Sequence, residues 1–114
     1  MIARDHARAG PYLDSVEREI GAVRGALRVA RTATQIHWGG GTPTYLSPEQ
    51  IRRLHRVVTD AFPMAQGAEL GVEVDPRVTT PAQVEALREC GFNRLSMGVQ
   101  DFDPAVQEAI HRIQ

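Results

Sequence analysis

Gln35-Ile36-His37-Trp38-Gly39-Gly40-Gly41-Thr42-Pro43-Thr44-Tyr45-Leu46-Ser47-Pro48-Glu49-Gln50 holds, in one short stretch, the end of a strand, a loop and the start of a helix. Residues 34–38 are rich in strand-favouring types, and three successive glycines stop the run where helix and strand both become costly. Ser47, Pro48 and Gln50 then fit a helix N-terminus: the Ser side chain caps, Pro takes the first helical position and Gln reaches back from the third. Ile51, Leu54, Val57, Val58 and Phe62 give that helix its buried face.

The same order recurs downstream. Residues 70–74 read as a strand closed by Asp75-Pro76, and Thr80-Pro81 with Gln83 opens a helix that carries Val84 and Leu87 and ends at Gly91. Residues 94–99 form a third strand, and Asp103-Pro104 opens a last helix through Val106 and Ile110. Upstream, Leu13, Val16, Ile20, Val23 and Leu27 recur at steps of three and four, which predicts an amphipathic helix from Pro11 onward. Strand, loop and helix three times over, preceded by a helix, define the α/β class with a parallel sheet and helical crossovers.

Alternation along the strands gives each one apolar and one polar face. Ile36 and Trp38 oppose Gln35 and His37, Val72 and Val74 oppose Glu73 and Asp75, and Leu95, Met97 and Val99 oppose Arg94, Ser96, Gly98 and Gln100. A parallel sheet covered on both sides gives nearly continuous apolar runs. The polar faces therefore point either into the lumen of a βα barrel, near the rim where active sites lie, or to solvent on an open sheet.

A net charge of -1 offers no basic field for nucleic acid or anionic lipid, and no apolar run approaches a membrane span. The first ten residues carry Arg and His without an apolar stretch, so no secretory signal is expected and the setting is cytoplasmic. Cys90 is the single cysteine, which excludes an internal disulfide and a cysteine-built metal site within these residues.

Chemistry concentrates at the strand ends. Three glycines let the backbone approach a ligand and offer N–H and C=O groups to it, as an amino acid moiety requires, although such a run is also a common turn. Its spacing fits neither the dinucleotide fingerprint nor a P-loop. Glu73 can accept from ribose hydroxyls or an ammonium group, or pair with an arginine. Gln100 and Arg112 suit a ligand's hydroxyl and carboxylate, or are an ordinary surface amide and helix residue. His37, His55 and His111 lack metal-ligand spacing and read as structural or exposed.

Taken in order, three stretches resemble the radical S-adenosylmethionine (SAM) family and, within it, the oxygen-independent coproporphyrinogen III oxidases. They are residues 35–46 quoted above, then Glu73-Val74-Asp75-Pro76-Arg77, then Gly91-Phe92-Asn93-Arg94-Leu95-Ser96-Met97-Gly98-Val99-Gln100-Asp101-Phe102; the ending Arg112-Ile113-Gln114 is similar too. The resemblance implies a (β/α) barrel in which Gly40, Gly41 and Thr42 bind the methionine end of SAM and Glu73 binds a first SAM. Gln100 and Arg112 would contact a second. The implied reaction removes hydrogen and CO2 from two propionates of coproporphyrinogen III, leaving the vinyl groups of protoporphyrinogen IX, in a monomer with an unspecified electron donor. A haem chaperone of the same subfamily shares Gly-Gly-Gly-Thr-Pro and Asn-Arg-Leu-Ser, but Trp38, the strand end at residues 73–76, Met97 and Asp101 look more like the oxidase.

One departure from the pattern stands out. The family holds a [4Fe-4S] cluster on a Cys-x-x-x-Cys-x-x-Cys loop, whereas Cys90 lies in a helix and cannot substitute. Arg4-Asp5 and Gly10-Pro11-Tyr12-Leu13 look like the segment that follows that loop. Residues 1–114 are accordingly expected to be part of a radical SAM core domain, truncated at both ends, since a barrel of this kind needs about twice the length. Alone, they would be inactive.

Overall fold

A computed structural model describes residues 8–29, 32–111 and 113. The chain runs α1 (Ala9–Ala26), β1 (Ala33–Trp38), a single 3-10 turn (Pro43–Tyr45), α2 (Pro48–Ala61), β2 (Met64–Val74), α3 (Pro81–Glu89), β3 (Arg94–Met97) and α4 (Pro104–Ala109). The three strands form one parallel sheet in the order β1-β2-β3, so α2 and α3 are the crossovers that parallel pairing demands. No helix among the described residues is long and apolar enough to cross a membrane.

Helix starts are set by local hydrogen bonding. Ser47 Oγ accepts from the Gln50 N–H while Gln50 Oε1 accepts from the Ser47 N–H, and Thr80 and Gln83 make the same reciprocal pair at α3. Asp103 caps α4 by accepting from the Ala105 N–H. At the other end of α3, Gly91 takes φ 83° and the Phe92 N–H returns to the Leu87 carbonyl, the bonding that lets a left-handed glycine close a helix.

The apolar sheet face meets the helices, as the alternation predicts. Val72 packs with Ile51 of α2, Ala86 and Leu87 of α3, Leu46 of the loop, and Ala9 and Leu13 of α1. Trp38 stands edge-on to Phe92 with ring centroids 4.7 Å apart. In α1 only the first part of the apolar stripe is used: Leu13 is buried, whereas Val23 and Leu27 are exposed.

Three features depart from the sequence expectation. β2 begins at Met64 rather than at residue 70, because Ala33 bridges Met64 before the register shifts to Gln35 opposite Glu69. Gly67, at φ 74°, lies within that bulge. β3 ends at Met97 rather than at residue 99. Leu95 and Met97 are about half exposed, since β3 is an edge strand and α4 buries none of its residues.

Candidate functional site

The polar sheet face is an ordered hydrogen-bonding surface. Glu69 on the central strand accepts from Gln35 of β1 at 2.8 Å and from Arg94 of β3 at 2.7 Å, a clamp across all three strands that holds its carboxyl below the usual range. Gly71 follows two residues on and is paired with His37. A Cβ on Gly71 would lie 3.0 Å from His37 Nδ1, so the imidazole occupies the space that glycine leaves.

Glu73 ends this row. Its Oε2 accepts from the Gly40 N–H at 3.3 Å, and its Oε1 lies 3.5 Å from His37 Nε2. The glycine loop can turn towards the carboxylate because Gly40 (φ 80°) and Gly41 (φ 60°) both adopt the left-handed region. Gly39 is needed for a different reason: a Cβ there would come within 3.1 Å of both Glu73 and His37.

Beside Glu73 opens a cleft of about 660 Å³, lined also by Gly41, Thr42, Ser96, Gln100 and His111. That size lies within the roughly 300–1,000 Å³ of small-molecule sites. Across the glycine loop lies a second, more apolar cleft of about 540 Å³, between Tyr12 of α1 and Trp38, Tyr45 and Leu54.

The loops around the first cleft are fastened from below. Gln83 is buried, and its Nε2 donates to the carbonyls of Thr44 and Leu46 at 2.6 and 2.8 Å while its Oε1 serves the α3 cap. Thr44 and Thr79 hydroxyls meet at 2.7 Å, and Thr79 donates to the Asp75 carbonyl. Arg77 forms a two-pronged pair with Asp75, which raises the guanidinium's already high proton affinity. One buried amide thus joins the segment after β1 to the helix after β2.

Of the residues singled out in the sequence, Gly40, Gly41, Thr42, Glu73 and Gln100 gather at or beside this cleft. Arg112 lies outside the described residues. His37 and His111, read as structural or exposed, are both at the site: His37 against Glu73, and His111 on the cleft rim. Ser96, opposite Glu73 in register, was legible only as a polar-face residue. Cys90 sits at the α3 C-terminus, packed against the apolar core, with burial pushing its thiol up.

The site is thus a polar strand-end cleft at a glycine loop on a parallel α/β sheet. Residues 3–114 match the model of the Radical SAM superfamily, and the chain belongs to that family. Within it, the chain is 43% identical over its whole length to the oxygen-independent coproporphyrinogen III oxidase of Synechocystis sp. and 46% identical to that of Escherichia coli. It covers 24% and 25% of those two proteins, so it spans about a quarter of the length of the curated relatives it matches. The solved structure of coproporphyrinogen III oxidase from Escherichia coli, described as a radical SAM enzyme, superposes with a TM-score of 0.93 at 45% identity, covering all of this chain and 26% of that one.

Proposed function

We propose that residues 1–114 supply the SAM-binding wall of an oxygen-independent coproporphyrinogen III oxidase. The observation that carries this reading is Glu73, a half-exposed carboxylate held between the glycine loop and His37 and lining a cleft of about 660 Å³. The donor set suits the molecule. Glu73 is an acceptor for the ammonium group or a ribose hydroxyl, and Gly40, Gly41 and Thr42 offer backbone groups to the methionine end. The Gly40 N–H takes one acceptor position of Oε2 at 3.3 Å, and a carboxylate oxygen can accept a second hydrogen bond from a ligand donor. Gln100, which lines the same cleft, and Arg112 are assigned to a second SAM molecule.

SAM, when bound, supplies the hydrogen-abstracting chemistry by which two propionates of coproporphyrinogen III would lose hydrogen and CO2 and become vinyl groups. The residues here bind and orient it, and the apolar layer of Trp38, Val72 and Phe92 packs behind the sheet. An iron–sulfur cluster of the family's kind needs three thiolates, and these residues contain one cysteine. They do not fit that group, and no step is assigned through it.

The test is anaerobic conversion of coproporphyrinogen III by the natural protein with SAM and a reductant. Protoporphyrinogen should form, and Glu73→Ala should remove most of the activity. Tight haem binding with no conversion by the wild-type protein would contradict the oxidase and favour a haem chaperone.

A further inference from the structure

We propose that His37 is a positioning residue for Glu73, holding the carboxylate in the orientation that receives SAM; this rests on the reading of Glu73 as a SAM ligand. Nothing in the sequence marks His37 for that task, because it lies 36 residues from its partner. Register brings them together. His37 pairs with Gly71, so its ring lies on the polar face between Glu69 and Glu73, the side chains two residues to either side on β2.

Two missing side chains make the seat. A Cβ on Gly71 would stand 3.0 Å from Nδ1, and a Cβ on Gly39 would stand 3.1 Å from Nε2. Any other residue at either position would push the ring or require the neighbour to give. The ring therefore lies against one glycine at each nitrogen, with Nε2 turned to Glu73 Oε1 at 3.5 Å. Glu69, on the other side of the ring, takes hydrogen bonds from Gln35 and Arg94 on its Oε1 and acts on His37 through charge alone.

Each carboxylate oxygen of Glu73 then has its own restraint, His37 on Oε1 and the Gly40 N–H on Oε2. This matters because the Glu73 side chain is 50% exposed and would otherwise move among several rotamers. Ordering it in advance removes part of the entropy that a ligand must otherwise overcome. His37 lines the cleft across the glycine loop and not the one beside Glu73, so it acts on SAM only through its direct contact with Glu73.

The experiment is a double-mutant cycle on SAM affinity in the natural protein, measured at equilibrium without turnover. His37→Leu should weaken SAM binding about threefold to tenfold, the size expected for one modest hydrogen bond. His37→Gln should restore most of it, since a Gln amide nitrogen reaches about as far as Nε2. His37→Leu added to Glu73→Ala should cost nothing further, because the group through which it acts is gone. If His37→Leu fails to fold, His37→Asn replaces it, being polar but too short to reach Oε1. A loss at Glu73→Ala with none at His37→Leu overturns the inference alone, as does an undiminished His37 effect in the Glu73→Ala background. No loss at Glu73→Ala overturns the site reading and this inference with it.

Discussion

Gly40 sits at φ 80° with nothing within 4 Å of the position a Cβ would take, so substitution there strains the backbone and meets no neighbour. Gly40→Ala should cost about 1–2 kcal/mol, read as a lower denaturant midpoint with an unchanged slope. An unchanged midpoint would mean that the loop does not hold this conformation. Cys90 offers a second check at the same scale. Burial raises its thiol above the usual value, so less thiolate is present near neutral pH and alkylation by iodoacetamide should be slower than for free cysteine. A rate equal to that of free cysteine would contradict the packed position. Gly40, Gly41, Thr42, Glu73 and Gln100 were singled out through the stretches that resemble the radical SAM family, type and place alone leaving each of them open, and the fold brings them to or beside one cleft. His37 was not, since its meaning depends on register with Gly71 and on the two glycines that make room for its ring.

At the scale of elements, the starts of α2, α3 and α4 were legible to the residue, whereas α1 begins at Ala9, two residues before the expected Pro11. Ser47 with Gln50, and Thr80 with Gln83, are local patterns whose partners lie three positions apart, and both form the reciprocal bonds expected. What sequence could not show was the second use of Gln83. Its amide nitrogen reaches the carbonyls of Thr44 and Leu46, 39 and 37 residues away, and so fastens the glycine-loop segment to α3. Gln83→Leu keeps the volume but leaves these buried carbonyls unpaired. A loss of about 2–4 kcal/mol is expected, as one or two unmet buried groups and a lost cap imply, with weaker SAM binding alongside. Thermal or denaturant unfolding checks the first effect; a loss no larger than for a surface substitution would show that the staple carries no weight. The early start of β2 escaped notice for a related reason: Gly67 and the shifted register break the alternation by which strands are recognised. β3 was read two residues too long because its apolar positions imply a cover that the described helices do not give it.

At the scale of the whole molecule, the radius of gyration is 16.1 Å, against about 13 Å for a compact domain of this length. The three-stranded sheet has α1, α2 and α3 against its apolar side and a polar, hydrogen-bonded face on the other, and the chain superposes on about a quarter of a known radical SAM enzyme. The alternation of the strands made the two faces legible; that Glu73, Ser96 and the glycine loop surround one cleft became visible only through the register. We propose that this cleft binds SAM through Glu73. It is tested most directly by the equilibrium SAM affinity of the natural protein beside its Glu73→Ala variant, at equal thermal stability. Loss of a charged acceptor is worth about 1.5–3 kcal/mol, so the variant should bind SAM roughly ten- to a hundredfold more weakly. Equal affinity in the two proteins would contradict the account.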